Sequence, residues 1–255
     1  MKLIDLSSLM HNQAVNDPPA QRPTIIYTDH TGGRDNMLTF FPSATVDDLP
    51  EGLGWAYEGA FLGTHSGTHM DSPWHYHPTM SNGQRAITID EVPLEWCFGN
   101  GVKLDFSDRP DGTRLMAEDV KEKLREIAYE IKPYDIVLIQ SGADPYSDDE
   151  SYLVKGCGMG REATNYLTQR GVVVTGTDAW SWDRPLPLVE REFAETHDKS
   201  IIWEGHFAGI DKGYCHMEKL TNLDKLPAFG FKVACFPIKI KGGSAGWVRP
   251  VAIIE

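Results

Sequence analysis

The sequence predicts one α/β domain with a mixed sheet, and three observations predict it: a strongly amphipathic helix, two short apolar runs that read as buried strands, and a strand, helix, strand order joining them. The helix runs from Ala117 to Ile131, where Val120, Leu124, Ile127 and Ile131 recur at helical spacing. Glu118 and Asp119 sit in its first turn, where the dipole favours acids, and Pro133 closes it. Asp135-Ile-Val-Leu-Ile-Gln140 is the first buried strand, bounded by Ser141-Gly142. Arg161 to Gln169 reads as a helix ended by Gly171, and Val172-Val-Val-Thr175 begins a second strand. Parallel strands need such a crossover, so this is a β-α-β unit. Ser200 to Trp203, Lys232 to Ile240 and Val251 to Ile254 are expected to add strands. Two glycine clusters are assigned to loops: Gly156-Cys-Gly158-Met-Gly160 lacks the spacing of a dinucleotide fingerprint and the Lys-Ser/Thr pair of a phosphate loop, and Gly242-Gly243-Ser-Ala-Gly246 has no helix after it to hold an anion.

At 255 residues the chain is at the upper end of a single domain, 1–255, and no Pro/Gly/Ser linker or charge block divides it. Hydrophobic residues at 41% and charged residues at 24% are ordinary for a globular protein. The net charge of −13 opposes binding to nucleic acid or to an anionic membrane surface, which needs clustered Lys and Arg. Cys97, Cys157, Cys215 and Cys235 are widely spaced with no Cys-x-x-Cys pair, which fits reduced thiols in a cytoplasm. The first residues, Met1-Lys-Leu-Ile-Asp5, carry no apolar stretch of signal-peptide length, and no segment approaches the length of a membrane span.

The chemistry concentrates in His65-Ser-Gly-Thr-His69-Met-Asp71-Ser-Pro73-Trp-His75, where three imidazoles and a carboxylate form a metal-ligand set. A straight strand would hold His65 and Asp71 about 20 Å apart, too far for one ion. Gly67 and the nearby Pro73 oppose a helix. A bend at Ser66-Gly67-Thr68 with strand geometry resuming through Asp71 is therefore expected. His11, His30, His77 and His197 are read as ordinary hydrogen-bonded residues. His65, His69 and Asp71 can hold an ion and leave positions for water and substrate, while His75 is free to move protons. A second group, His206 to Glu218, lies far along the chain.

His65-x-Gly67-Thr68-His69-x-Asp71-x-Pro73-x-His75, and His206 followed twelve residues later by Glu218 opening Glu-x-Leu-x-Asn-Leu, resemble the cyclase family of metal-dependent hydrolases, which includes bacterial kynurenine formamidase and isatin hydrolase. Phe236-Pro-Ile-Lys-Ile-Lys241 and the glycine loop after it are similar to the family's last strands. The resemblance implies a swivelling β/β/α domain assembled as a homodimer or homotetramer. It also implies two divalent ions, Zn²⁺ or Mn²⁺: one on His65, His69 and Asp71, and a second on His206 with Asp71 and Glu218 bridging. His75 would be the general acid/base. The implied reaction is attack of metal-activated water on an amide (arylformamidase-like), imide or lactone of a small aromatic or cyclic substrate, and Glu218 points to the two-metal branch. Formamidases are expected to carry an early Trp-Pro-Gly-Asp-like segment, but here that region reads Asn16-Asp17-Pro18-Pro19. Trp74, Trp180 and Trp182 are candidates for stacking on a flat substrate. A non-catalytic metal-binding protein and a metal-dependent lyase or dehydratase are the alternatives.

Overall fold

The strand, helix, strand unit forms the parallel centre of a nine-stranded mixed sheet in the computed structural model, which describes residues 1–255. Across the sheet the order is Lys2–Asp5 (β1), Val251–Ile254 (β15), Phe229–Ala234 (β13), Phe98–Asp105 (β7), Ile136–Gln140 (β9), Val174–Thr177 (β11), Cys215–Glu218 (β12), His69–Asp71 (β4) and Ala245–Trp247 (β14). β7, β9, β11 and β12 run parallel to one another. The flanking strands pair antiparallel. Three two-stranded ladders lie outside this sheet: Thr24–Thr28 (β2) with Tyr57–Phe61 (β3), Thr79–Met80 (β5) with Gln84–Arg85 (β6), and Arg114–Leu115 (β8) with Gly158–Met159 (β10). The helices are His30–Leu38 (α1), Pro73–Tyr76 (α2), Ala117–Glu126 (α3), Arg161–Thr168 (α4), Leu186–Thr196 (α5) and Glu204–Asp211 (α6).

β9 is buried on both faces, as an apolar run in a parallel sheet requires. Ile136 and Leu138 enter one apolar layer with Met70, Val174, Cys215 and Met217. Val137 and Ile139 enter the other, where Val120 and Leu124 of α3 and Ala163 and Leu167 of α4 cover the sheet. The four cysteines are buried and unpaired. No helix is long and apolar enough to cross a membrane.

Several boundaries differ from the sequence reading for local reasons. The helix expected to reach Ile131 stops at Glu126. Ala128 turns left-handed at φ 52°, and the amides of Tyr129 and Ala128 return to the carbonyls of Leu124 and Arg125, closing a Schellman cap. Ile131 still reaches the core from beyond that cap. The strand expected at Ser200 to Trp203 is a 3₁₀ turn, Lys199–Ile201, because the Asp198 carboxylate accepts from the Ser200 amide. The expected Lys232 to Ile240 strand is displaced to Phe229–Ala234, and the Cys235 amide bonds back to Cys97 before Pro237. The second buried strand begins at Val174 and not Val172. The glycine clusters are not wholly loop. Gly158 pairs with Arg114, where a Cβ would stand 2.1 Å from the Arg184 nitrogen, and Ala245 and Gly246 belong to an edge strand.

Candidate metal centre

The site is written into one strand register. β4 and β12 are antiparallel neighbours in which Asp71 faces His216, Met70 faces Met217 and His69 faces Glu218. Side chains alternate along a strand, so both methionines drop into the apolar layer and four metal-ligand side chains stand together on the opposite face. Gly67 makes the expected bend at φ 61°, a conformation glycine adopts without a Cβ penalty. The bend returns His65 to the strand end, with Nδ1 2.9 Å from Asp71 Oδ1. Pro73 opens α2, which carries His75 back over the carboxylate, Nε2 lying 3.6 Å from Asp71 Oδ2. α6 supplies His206, whose Nε2 is 3.5 Å from Glu218 Oε1 and 3.8 Å from Asp71 Oδ2.

Second partners aim these rings. His69 Nδ1 lies 2.9 Å from the Gly67 carbonyl, which leaves Nε2 facing the cluster 3.2 Å from Asp71 Oδ1 and 3.6 Å from Glu218 Oε2. His206 Nδ1 is hydrogen-bonded to Asp183, which also accepts from the backbone amides of Gly205 and His206. Glu218 Oε1 accepts from the Trp182 amide at 2.8 Å. A buried Lys219–Asp17 pair braces the bend: Lys219 Nζ donates to the His65 carbonyl, and Asp17 Oδ2 accepts from the Gly67 amide.

The electrostatics are those of a cation site. Asp71 is fully buried, yet neither of its oxygens nor Nε2 of His69 has a hydrogen-bond partner. Burial opposes ionisation of Asp71, but the surrounding histidines hold its carboxyl well below the usual range. Burial likewise opposes ionisation of Glu218, and His216 and His206 outweigh it, lowering the group to about 2. Burial lowers the His75 imidazole to about 4, overcoming the attraction of Asp71.

His65, His69, His75, His206 and Glu218 line one cleft of ≈ 260 Å³ with Gln21, Trp180, Ser181, Leu186, Trp203 and Lys219. Larger cavities exist, such as one of ≈ 480 Å³ beside Phe236 and Trp247, but they contain none of these ligands. Of the three tryptophans read as stacking candidates, Trp180 lines the cleft, whereas Trp74 projects from α2 outside the lining. Trp182 departs from the expectation: it is 1% exposed, stacks on the His216 ring and donates its indole N–H to Thr164, so it is core. Trp203, not anticipated from the sequence, stacks on His206 with centroids 4.1 Å apart. His216, which lies within the His206 to Glu218 group, and Asp183 are assigned no role by the sequence. Asp178 holds the loop after β9 by accepting from the amides of Ser141, Gly142 and Asp144.

Fold and site together define a class: an α/β protein whose mixed sheet carries a buried histidine and carboxylate cluster of metal-binding type. The chain belongs to the Cyclase family, whose model, described as "Putative cyclase", matches residues 4–184. It is 27% identical over 190 residues to a kynurenine formamidase of Salinibacter ruber, covering 74% of this chain and 76% of that protein. It is 23% identical over 219 residues to an isatin hydrolase of Roseibium aggregatum, covering 80% and 77%. Among solved structures, isatin hydrolase A from Ralstonia solanacearum superposes with a TM-score of 0.76 at 19% identity, over 100% of this chain and 92% of that one. An isatin hydrolase bound to the product analogue thioisatinate gives 0.75 at 20% identity, over 99% and 92%. The β/β/α fold is thus that of these hydrolases.

Proposed function

We propose that the protein is a metal-dependent hydrolase that opens a C–N or C–O bond, an amide, imide or lactone, in a small aromatic or cyclic substrate. The observation that carries this reading is the buried Asp71 carboxylate, unpartnered at both oxygens and ringed by imidazole nitrogens. A buried carboxylate costs several kcal/mol unless opposite charge balances it, and a divalent cation held between its oxygens and the imidazole nitrogens would do so. Nitrogen and oxygen donors without a thiolate suit Zn²⁺ or Mn²⁺. His65, His69 and Asp71 would hold one ion, and His206 with Asp71 and Glu218 a second.

When bound, such ions supply Lewis acidity toward a carbonyl oxygen and lower the pKa of water. The remaining chemistry belongs to the chain. His75 faces the cleft and is neutral at neutral pH, so its Nε2 can take a proton from the nucleophile and deliver it to the departing nitrogen or oxygen. Trp180, Trp203 and Leu186 give apolar walls that orient a flat substrate and exclude water. The likeness to a kynurenine formamidase and to isatin hydrolases supports an aromatic amide or its cyclic equivalent. The reading includes a single cytoplasmic domain that binds neither nucleic acid nor membrane. It also includes a homodimer or homotetramer, which would cover Ile26, Tyr27 and Phe61, exposed on the β2–β3 ladder.

The test is hydrolysis of N-formylkynurenine, isatin, cyclic imides and lactones by protein as purified, after chelation, and after reloading with Zn²⁺ or Mn²⁺. Turnover should vanish on chelation and return on reloading. His75→Ala should lose about 10²–10⁴-fold in kcat with ion content unchanged. Turnover that survives complete ion removal sinks the metal reading. Loss of ion from His75→Ala would make His75 a ligand and not a proton carrier.

A further inference from the structure

We propose that His216 is a direct ligand of the second ion, so that this subsite holds Nε2 of His206 and of His216 with one oxygen each from Asp71 and Glu218. The inference rests on the metal-centre reading above and adds a ligand that neither the His65 to His75 motif nor the His206 to Glu218 spacing includes.

Distances carry the argument first. Donor atoms about 2.1 Å from a tetrahedral ion stand about 3.4 Å from one another. His216 Nε2 lies 3.1 Å from Glu218 Oε1 and 3.3 Å from Asp71 Oδ2. The corresponding His206 separations are 3.5 and 3.8 Å, and the four donor atoms all fall within 4.8 Å of one another. The two imidazoles meet edge to face at 90°, converging on the carboxylates from different directions.

The outer partner of His216 points the same way. The Tyr76 hydroxyl sits 3.0 Å from its Nδ1, so that nitrogen is engaged away from the cluster while Nε2 faces the Asp71 and Glu218 carboxylates. His69 is disposed alike, with Nδ1 on the Gly67 carbonyl, and so is His206, with Nδ1 on Asp183. The His216 ring is held in orientation by two aromatic neighbours stacked on it, Tyr76 at 11° and Trp182 at 15°. Trp182 and Tyr76 thus serve the site by fixing a ligand, not by touching substrate. The second subsite is also the more enclosed: His206, His216, Asp71 and Glu218 are all buried, whereas His65 of the first is partly open.

Calorimetric titration of chelator-stripped protein with Zn²⁺ tests the assignment. Wild type should bind two ions, and His216→Ala should retain the first while its second Kd rises at least about 100-fold, the upper end of what losing an outer-shell partner costs. Two ions bound by His216→Ala with unchanged constants would overturn the proposal. Since the ring is part of the core, anomalous diffraction from wild-type crystals soaked in Zn²⁺ gives a second readout that needs no variant. An ion about 2.1 Å from His216 Nε2 supports the assignment. A second-subsite ion more than about 3 Å from that atom overturns it. So does a lone ion on His65, His69 and Asp71, which leaves the metal-centre reading standing, whereas protein that binds no Zn²⁺ overturns both.

Discussion

Asp183→Asn isolates what aims His206. The Asp183 carboxylate serves three donors: Oδ1 takes the Gly205 amide at 2.8 Å, and Oδ2 takes the His206 amide at 3.0 Å together with His206 Nδ1. Asparagine keeps the shape but offers one acceptor oxygen and presents an NH₂ to whatever faces the other side. At least one buried donor loses its partner, at about 1–3 kcal/mol. The loss of charge acts on His206 as well. In protein without a bound ion, burial pushes this imidazole down, but Asp183 and then Asp71 outweigh burial and raise it to about 9. A folded pKa above the reference value of 6.5 means that protonated His206 stabilises the fold. That contribution is fully present below pH 6.5 and is lost as pH rises through about 9, amounting to about 3 kcal/mol.

Denaturant unfolding of chelator-stripped protein at several pH values between 6 and 10 should therefore show stability falling across this window in wild type. In Asp183→Asn the profile should be flatter and lower. Competition with a chelator should show weaker Zn²⁺ binding by about 10–100-fold, because the ligand loses both orientation and basicity. Zn²⁺ affinity within about twofold of wild type, together with an unchanged pH profile, would refute the idea that Asp183 organises this ligand.

Two further perturbations separate packing from chemistry. Trp182→Ala removes a buried ring from the core and should cost about 3–5 kcal/mol in unfolding free energy. Trp180→Ala should cost less and instead raise KM, so equal stability losses with unchanged KM would contradict the placement of Trp180 in the cleft. Lys219→Met strands Asp17 in the interior and should cost about 3–5 kcal/mol in unfolding free energy. The double variant Lys219→Met/Asp17→Asn should recover part of that loss, and strictly additive effects would show that the two residues do not act as a pair.

The sequence made some of this site legible and hid the rest for physical reasons. His65, His69 and Asp71 are close in the chain, so a bend at Gly67 suffices to suggest convergence, and the structure brings them together there. His206 and Glu218 carried no local signal beyond the family spacing, since a helix residue and a strand residue meet only through the tertiary fold. Trp182 is indistinguishable from Trp180 in the sequence, because two indoles in a loop after a strand carry no periodicity that says which one enters the core. Asp183 is invisible in the sequence because its task is to cap the amides of a helix that begins only at Glu204. The strand boundaries failed where a side chain competed with the ladder, as Asp198 does for the Ser200 amide.

His216 does carry a signal in the sequence. The chain contains His69-Met70-Asp71 and His216-Met217-Glu218, two triplets of histidine, methionine and acid. A methionine between two polar ligand types is the period-2 pattern of a strand with one apolar face. Two such strands satisfy both faces at once if they lie side by side with the methionines opposed, because a shift of one residue would bury ligands in the apolar layer and turn methionine toward the cleft. The observed register opposes Met70 and Met217. Opposing the methionines in antiparallel strands sets each histidine across from an acid, Asp71 with His216 and His69 with Glu218. The hydrophobic demand on one face of the sheet thereby determines the ligand geometry on the other.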